Sequence, residues 1–347
     1  MVVEQKNVNL ALQGGGSHGA FTWGVLDKLL EDGRINFSGI SGTSAGAINA
    51  VLYADGMKKN GKEGAREAMH NFWHKLSMAA NWSPIKRNAY NVMTGNWSVD
   101  TSVGFLFYTA LTRFLSPYQL NPLNFNPIKD ILDECIDFER VRCCDKTQLF
   151  ISATNVETGL VRVFESHELT SEMVIASCCL PQVFQAVEID GIPYWDGGYM
   201  GNPVLFPFFD HTDCADILVV QINPIERKGT PKTPQAISDR INEIGFNSSL
   251  LKDLRSVAFV SKLIQRGVLS ADEYRDNHIH IIANQEALKP LGVSSKMNLE
   301  WSFLLHLRDI GRATAEKWLA ENFTHVGEKS SVDIAAMFQG TRVKAPE

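Results

Sequence analysis

The chain reads as an α/β protein built on a parallel sheet. Three observations carry this reading. A strand, a glycine turn and a helix occupy residues 8–30, and the same unit repeats at 35–53. Further apolar, strand-like runs then alternate with long helical stretches as far as residue 283. At 347 residues the chain exceeds an average domain, but one large α/β unit reaches this size. A 44% hydrophobic content supplies a large core. With 33 Lys and Arg against 39 Asp and Glu, the net charge is −6, which argues against a general nucleic-acid binder.

Taken in order, residues 8–12 (VNLAL) form a short apolar run that ends at three glycines and reads as a buried strand. Residues 20–30 place Phe21, Val25, Leu26, Leu29 and Leu30 at helical spacing, and Gly33 is the expected stop. A second strand at 35–40 runs into another glycine turn, followed by an alanine-rich helix at 45–53. Strands are expected at 148–154, 160–164, 217–222 and 278–283. Helices are expected at 61–76, 127–135, 171–178, 236–266 and 300–322. On the last of these, Trp301, Leu304, Leu305, Leu307, Ile310 and Trp318 form a stripe that reads as core packing. Residues 79–126 differ in character. They are rich in Asn, Ser, Thr and aromatics, including Trp82, Tyr90, Trp97, Phe107 and Phe114, and read as an irregular insertion that serves as a lid, a binding loop or a structural cover. The expected organisation is one catalytic domain over 7–323, with the 79–126 insertion, C-terminal helices and a final strand over 234–323, and a tail at 324–347.

The ends and the cysteines exclude further classes. No basic n-region precedes an apolar stretch, so a secretory signal is not expected. No apolar run reaches the roughly 18–20 residues that a spanning helix needs. Six cysteines are too few for a disulfide scaffold and show no CxxC spacing, so neither a metal site nor a cofactor is expected. Reduced thiols in a cytoplasmic protein are the natural reading.

Three short motifs carry chemistry. Gly14-Gly15-Gly16-Ser17-His18-Gly19 lies between a strand and a helix, where glycines admit close backbone approach and free N–H groups point at negative charge. It also fits the dinucleotide fingerprint GxGxxG. That fingerprint requires an acid at the end of the second strand, and here the strand runs into Ser41-Gly42-Thr43-Ser44 without one. Gly42-Thr43-Ser44-Ala45-Gly46 is a G-x-S-x-G nucleophile elbow in its proper strand-to-helix context. Asp196-Gly197-Gly198 is a tight aspartate loop. By itself it is an ordinary Asp-Gly turn. Together the three supply what acyl transfer needs: Ser44 as nucleophile, Asp196 as base, and the N–H groups of Gly14, Gly15 and Gly16 as oxyanion donors. Gly19, Gly42, Gly46, Gly197 and Gly198 support the turns. A Ser-His-Asp triad using His278, His280, His306 or His325 is the competitor. The elbow follows only the second strand, however, whereas an α/β-hydrolase places it later in the chain.

The order GGGSHG, GTSAG, DGG resembles the patatin-like phospholipases. The segment 176–184 (ASCCLPQVF) is similar to that family's A-S-x-x-x-P-x-x-F block, and Asn202-Pro203 to the end of its aspartate loop. The resemblance implies a three-layer α/β/α fold with a mainly parallel central sheet, and a serine lipid acyl hydrolase with a Ser44–Asp196 dyad and no metal. The family commonly has Arg or Lys at the position of His18. A histidine there loses its charge as pH rises, which speaks against a strong electrostatic preference for phosphate head groups; a structural role at the helix start is the alternative.

The expected function is hydrolysis of carboxylic esters in phospholipids or lysophospholipids. A soluble esterase or thioesterase on other acyl esters, and a non-catalytic lipid- or partner-binding module, are the alternatives. The expected partners are a lipid or acyl-ester substrate and a peripheral membrane surface met by local apolar groups, with no nucleic acid.

Overall fold

The computed structural model describes residues 4–144 and 146–338. Eight described strands form one sheet: β1 (Lys6–Leu12), β2 (Ile35–Gly42), β3 (Gln148–Asn155), β4 (Val161–Glu165), β5 (Val187–Ile189), β6 (Ile192–Asp196), β7 (Asp216–Gln221) and β8 (His278–Ala283). Their order is β5-β6-β3-β2-β1-β7-β8, with β4 also paired to β3. The run β3-β2-β1-β7-β8 is parallel, and β4, β5 and β6 add an antiparallel edge. Alternation along the strands builds a core on each face. Leu10, Leu12, Leu218 and Val220 face one core with helices α1 (Gly19–Asp32), α2 (Ala45–Ala80), α3 (Ser171–Ser177) and α5 (Trp301–Asn322). Ala11, Ile217 and Val219 face the other, against α4 (Pro234–Gln265). The architecture is therefore three-layer α/β/α.

The elements fall close to their expected places. Gly33 closes α1 in the left-handed conformation (φ 77°), its N–H bonded to the Leu29 carbonyl at 3.0 Å. The helices expected at 45–53 and 61–76 are one long α2 with a break at Asn60 and Gly61. The β5–β6 hairpin was not expected. Its strands are only three and five residues long and Pro193 interrupts one of them, so alternation leaves little signal. The insertion is less irregular than its composition suggests, carrying short helices at Ala89–Met93, Val103–Leu111 and Pro117–Leu120. Past residue 324, Ile334 is buried against the α4-side core, and residues 339–347 of the expected tail lie outside the described residues.

α1 and α5 pack at very short range. A Cβ on Gly24 would run into the Arg308 carbonyl, and one on Gly311 into the Phe21 carbonyl. Each glycine thus makes room for the other helix's backbone. Among the described residues, no helix is long and apolar enough to cross a membrane, and no group of His, Cys, Asp or Glu is arranged to hold a metal ion. All six cysteines are free.

Candidate active site

β1 and β2 run side by side, with Leu12 opposite Gly42, so the glycine loop and the elbow leave the sheet at the same end. β3 follows, with Ile151 opposite Gly42. Two residues further along β3, Ala153 pairs with Asp196 of the antiparallel β6. The strand order thus gathers residues near 15, 44 and 196 at one end of the sheet.

Ser44 caps α2 at φ 53°, ψ −122°, a backbone conformation that L side chains seldom adopt. The tightness of the turn explains Gly46: a Cβ there would strike the Leu12 carbonyl of the neighbouring strand. Gly42 is the last residue of β2, and Gly19 begins α1 against Ala45. The Ser44 N–H donates to Ser177 Oγ at 2.8 Å. Thr43 Oγ1 donates to the Gly201 carbonyl at 2.7 Å and lies 2.6 Å from Ser152 Oγ. These bonds fix the elbow from both sides.

Asp196 is 1% exposed. Its N–H donates to the Cys179 carbonyl at 2.8 Å, and its own carbonyl accepts from Thr154 Oγ1 at 2.8 Å. Oδ1 accepts the Gly198 N–H at 2.7 Å, while Gly197 and Gly198 form the short turn that follows. Oδ2 is buried with no hydrogen bond of ordinary geometry among the described residues. The Ser44 hydroxyl stands near enough to stabilise the carboxylate charge without closing such a bond. Burial raises the Asp196 pKa from 3.8 to about 6, against the opposing pull of the Gly198 N–H, the Ser44 hydroxyl and the Lys296 charge. The Cys178 thiol also borders the pair; burial and the Asp196 charge push it well above its usual range, so it stays protonated.

The three loop glycines divide in role. The Gly14 N–H is taken by Asn202 Oδ1 at 2.6 Å, and the Gly14 carbonyl accepts from Asn223 Nδ2 at 2.8 Å. A Cβ on Gly14 would stand 2.7 Å from Ser44 Cβ, so this glycine is the seat of the elbow. The N–H groups of Gly15 and Gly16 have no acceptor among the described residues, and Gly16, at φ 59°, is exposed. The expected set of three donors thus narrows to two with free N–H groups. Buried Gln13 anchors the loop from below: Oε1 accepts from the N–H groups of Ile222 and Asn223 at 3.0 Å each, and Nε2 donates to Asn247 Oδ1 at 3.1 Å.

His18 does not behave as a titrating cation. It is buried, its Nε2 lies 2.8 Å from Ser295 Oγ, and burial together with the Lys296 and Arg227 charges lowers its pKa to about 3. It is neutral at working pH and serves the packing of the helix start. The triad candidates lie elsewhere. His278 and His280 are at the start of β8, the opposite end of the parallel strands from Ser44, and His280 Nε2 is 2.9 Å from Asp216 Oδ1. His306 stacks on Trp97 at 5.3 Å, and His325 follows α5.

Sequence reasoning missed Ser177, Asn202, Gln13, Asn223 and Lys296 as supports of the site. Ser177 and Asn202 fall inside segments already singled out. Lys296 arrives from a distant turn and carries no local signal. A cleft of about 500 Å³ lies away from these residues, lined by Trp23, Arg66, His70 and Arg312 among others. Its Arg66 and Arg312 are paired to Asp27, and it holds none of the residues described above.

The sequence model of the patatin-like phospholipase family matches residues 10–209, more than half of the chain, and the chain belongs to that family. The family is one of lipid hydrolases. Among solved structures, VipD from Legionella pneumophila is similar at 14% identity and a TM-score of 0.36, over 88% of this chain and 67% of that one. ExoU, in its complex with SpcU from the type III secretion system of Pseudomonas aeruginosa, is similar at 14% identity and a TM-score of 0.40, over 92% of this chain and 52% of that one. The chain spans about half the length of ExoU. The curated proteins include no match to it.

Proposed function

We propose that the chain is a serine-dependent lipid acyl hydrolase that cleaves carboxylic esters of phospholipids or lysophospholipids, with Ser44 as nucleophile and Asp196 as base. The observation that carries this reading is the pairing of a strained, elbow-mounted Ser44 with a buried Asp196 whose Oδ2 is otherwise unpartnered. Ser44 Oγ attacks the ester carbonyl carbon and its proton passes to Asp196 Oδ2. The tetrahedral oxyanion is held by the N–H groups of Gly15 and Gly16, while Gly14 keeps the loop seated on the elbow. Collapse breaks the ester C–O bond, and the departing alcohol takes the proton from Asp196. Water then attacks the acyl-enzyme, gives a proton to Asp196, and the fatty acid leaves as Ser44 Oγ recovers that proton. The raised Asp196 pKa matters here: a carboxyl near 6 is a better base for a hydroxyl than one near 3.8, yet is still ionised at pH 7.

Residues 7–323 then act as one catalytic domain, with 79–126 as the lipid-facing cover of the site. Support comes from hydrogen bonds between the cover and the loop beside Asp196: Tyr108 Oη to the Gln182 carbonyl (3.3 Å) and Gln185 Nε2 to the Asn121 carbonyl (2.7 Å). Trp82, Phe114 and Leu123 on the cover are at least 85% exposed and suit an acyl surface. Free cysteines suit a reducing, cytoplasmic setting.

Fatty-acid release from phosphatidylcholine vesicles and from p-nitrophenyl butyrate, compared for the wild type and Ser44→Ala, tests this. The reading predicts loss of at least about a thousandfold for both substrates in the variant, with the wild type faster on vesicles. Equal rates for wild type and variant would sink the mechanism. Activity confined to the soluble ester would replace the phospholipid reading by an esterase, and no turnover of any ester would favour a binding module.

A further inference from the structure

Lys296 sits in the turn before α5, and its backbone closes on the glycine loop: a Cβ on Gly16 would stand 2.6 Å from the Lys296 carbonyl. Its ammonium reaches back past the loop to Asn223 Oδ1 at 2.9 Å and Asn242 Oδ1 at 3.4 Å, and lies 5.2 Å from the centre of the Phe246 ring. Asn223 in turn holds the Gly14 carbonyl, and the Phe246 ring packs against Gly198 of the aspartate loop. The charge therefore lies between the oxyanion loop and the aspartate loop.

What surrounds it is unusual for a lysine. Both hydrogen-bond acceptors are neutral amide oxygens, and no carboxylate among the described residues comes within ion-pair distance. The nearby Glu243 is already bonded to Arg227 at 2.6 Å and to Arg240 at 3.2 Å. Asp239 accepts from Gln235 at 2.8 Å, and Asp196 is turned toward Gly198 and Ser44. An ammonium has three donors, and two are used. Lys296 as a residue is partly enclosed and partly exposed, and its third donor has no acceptor among the described residues. Enclosure of this kind also lowers the Lys296 pKa to about 8, as burial outweighs the pull of Glu243, Asp196 and Asp239. A cation held in that state gains more from a passing anion than a fully hydrated surface lysine does.

Building on the hydrolase reading, we propose that Lys296 binds the phosphate of the substrate head group and thereby selects phosphate-bearing acyl esters over neutral ones. The proposal concerns recognition only; bond making and breaking remain with Ser44 and Asp196.

The test compares lysophosphatidylcholine with monoacylglycerol of the same acyl chain in the same detergent micelles, for wild type, Lys296→Met and Lys296→Arg. The two substrates differ only in the phosphocholine group. The ratio of their kcat/KM values should fall about ten- to hundredfold in Lys296→Met, the size expected for one hydrogen bond to a charged group, and return at least in part in Lys296→Arg. A merely structural lysine would depress both substrates alike and leave the ratio unchanged, which overturns the proposal. A second measurement does not depend on turnover. Inorganic phosphate should raise the wild-type Tm and not that of Lys296→Met; an equal shift in both overturns the proposal even where hydrolysis is seen. A wild type that hydrolyses neither ester contradicts the hydrolase reading, while the phosphate measurement still decides the role of Lys296.

Discussion

At the residue scale, the proposed base, Asp196, is a carboxyl group held in a buried place, where its ionised form is disfavoured. A pKa of about 6 in the folded chain against 3.8 in its ordinary state costs the protein on the order of 2–3 kcal/mol once Asp196 is charged. The sign is fixed by the direction of the shift. A raised carboxyl pKa means that the folded state holds the proton more tightly, so stability is lost as pH rises from about 4 through about 6. Two results follow. The acid limb of kcat/KM for the free enzyme should fall about tenfold per pH unit below a midpoint near 6. Asp196→Asn, which removes the charge, should be more stable than the wild type at pH 8 by several degrees in Tm, with the difference shrinking at pH 5, where Asp196 is itself protonated. A Tm difference that is the same at both pH values would show that the carboxylate is not strained by burial. The turns that hold Ser44, Asp196 and the glycines were legible in the sequence because they admit few residue types. The division of labour among Gly14, Gly15 and Gly16 was not, because it depends on Asn202, which meets the loop only in three dimensions.

At the scale of elements, the sheet end and the α1–α5 contact place the site. Most strands and long helices could be read from periodicity, since β1, β7 and β8 are short buried runs and α1 has a clear glycine stop. The β5–β6 hairpin, which ends in Asp196, left too short a pattern to read. Gly24 and Gly311 also gave no warning. Within a helical pattern a glycine is a mild cost, and only the crossing of two backbones shows why both are needed. α1 begins just after the Gly14–Gly16 loop, so this crossing sets where the loop points. Gly24→Ala should therefore destabilise the fold by roughly 2 kcal/mol or more, through a backbone clash that no side-chain rotamer relieves. Urea denaturation followed by circular dichroism measures it. A change within about 0.5 kcal/mol would mean that the helices can part without cost.

At the scale of the molecule, residues 79–126 set exposed apolar side chains beside others that are buried. The base of the insertion is anchored. Arg87 bonds Glu300 at 3.0 Å and stacks over Trp97 at 4.1 Å, while Trp97 packs on Phe303 at 5.0 Å. Beyond that anchor, Trp82, Phe114 and Leu123 have little to cover them. Composition marked residues 79–126 by their aromatic character, but it did not tell anchoring aromatics from exposed ones, because both look alike in a sequence. If the outer group meets lipid, replacing all three by serine should weaken sedimentation with phosphatidylcholine vesicles by about tenfold or more and leave p-nitrophenyl butyrate hydrolysis near the wild-type rate. Unchanged sedimentation would assign the group to another partner. The net charge of −6 fits a lipid contact made by apolar side chains rather than by overall charge.

The central claim, that Ser44 is a nucleophile served by Asp196 and the glycine loop, is tested most directly by covalent labelling with a fluorophosphonate, since the adduct forms only where a serine oxygen is activated and its oxyanion is held. Mass spectrometry of the digested protein should place one adduct on Ser44 in the wild type, none in Ser44→Ala, and a labelling rate reduced at least about a hundredfold in Asp196→Asn. A wild type that hydrolyses esters while Ser44 stays unlabelled, or that labels equally fast without Asp196, would contradict it.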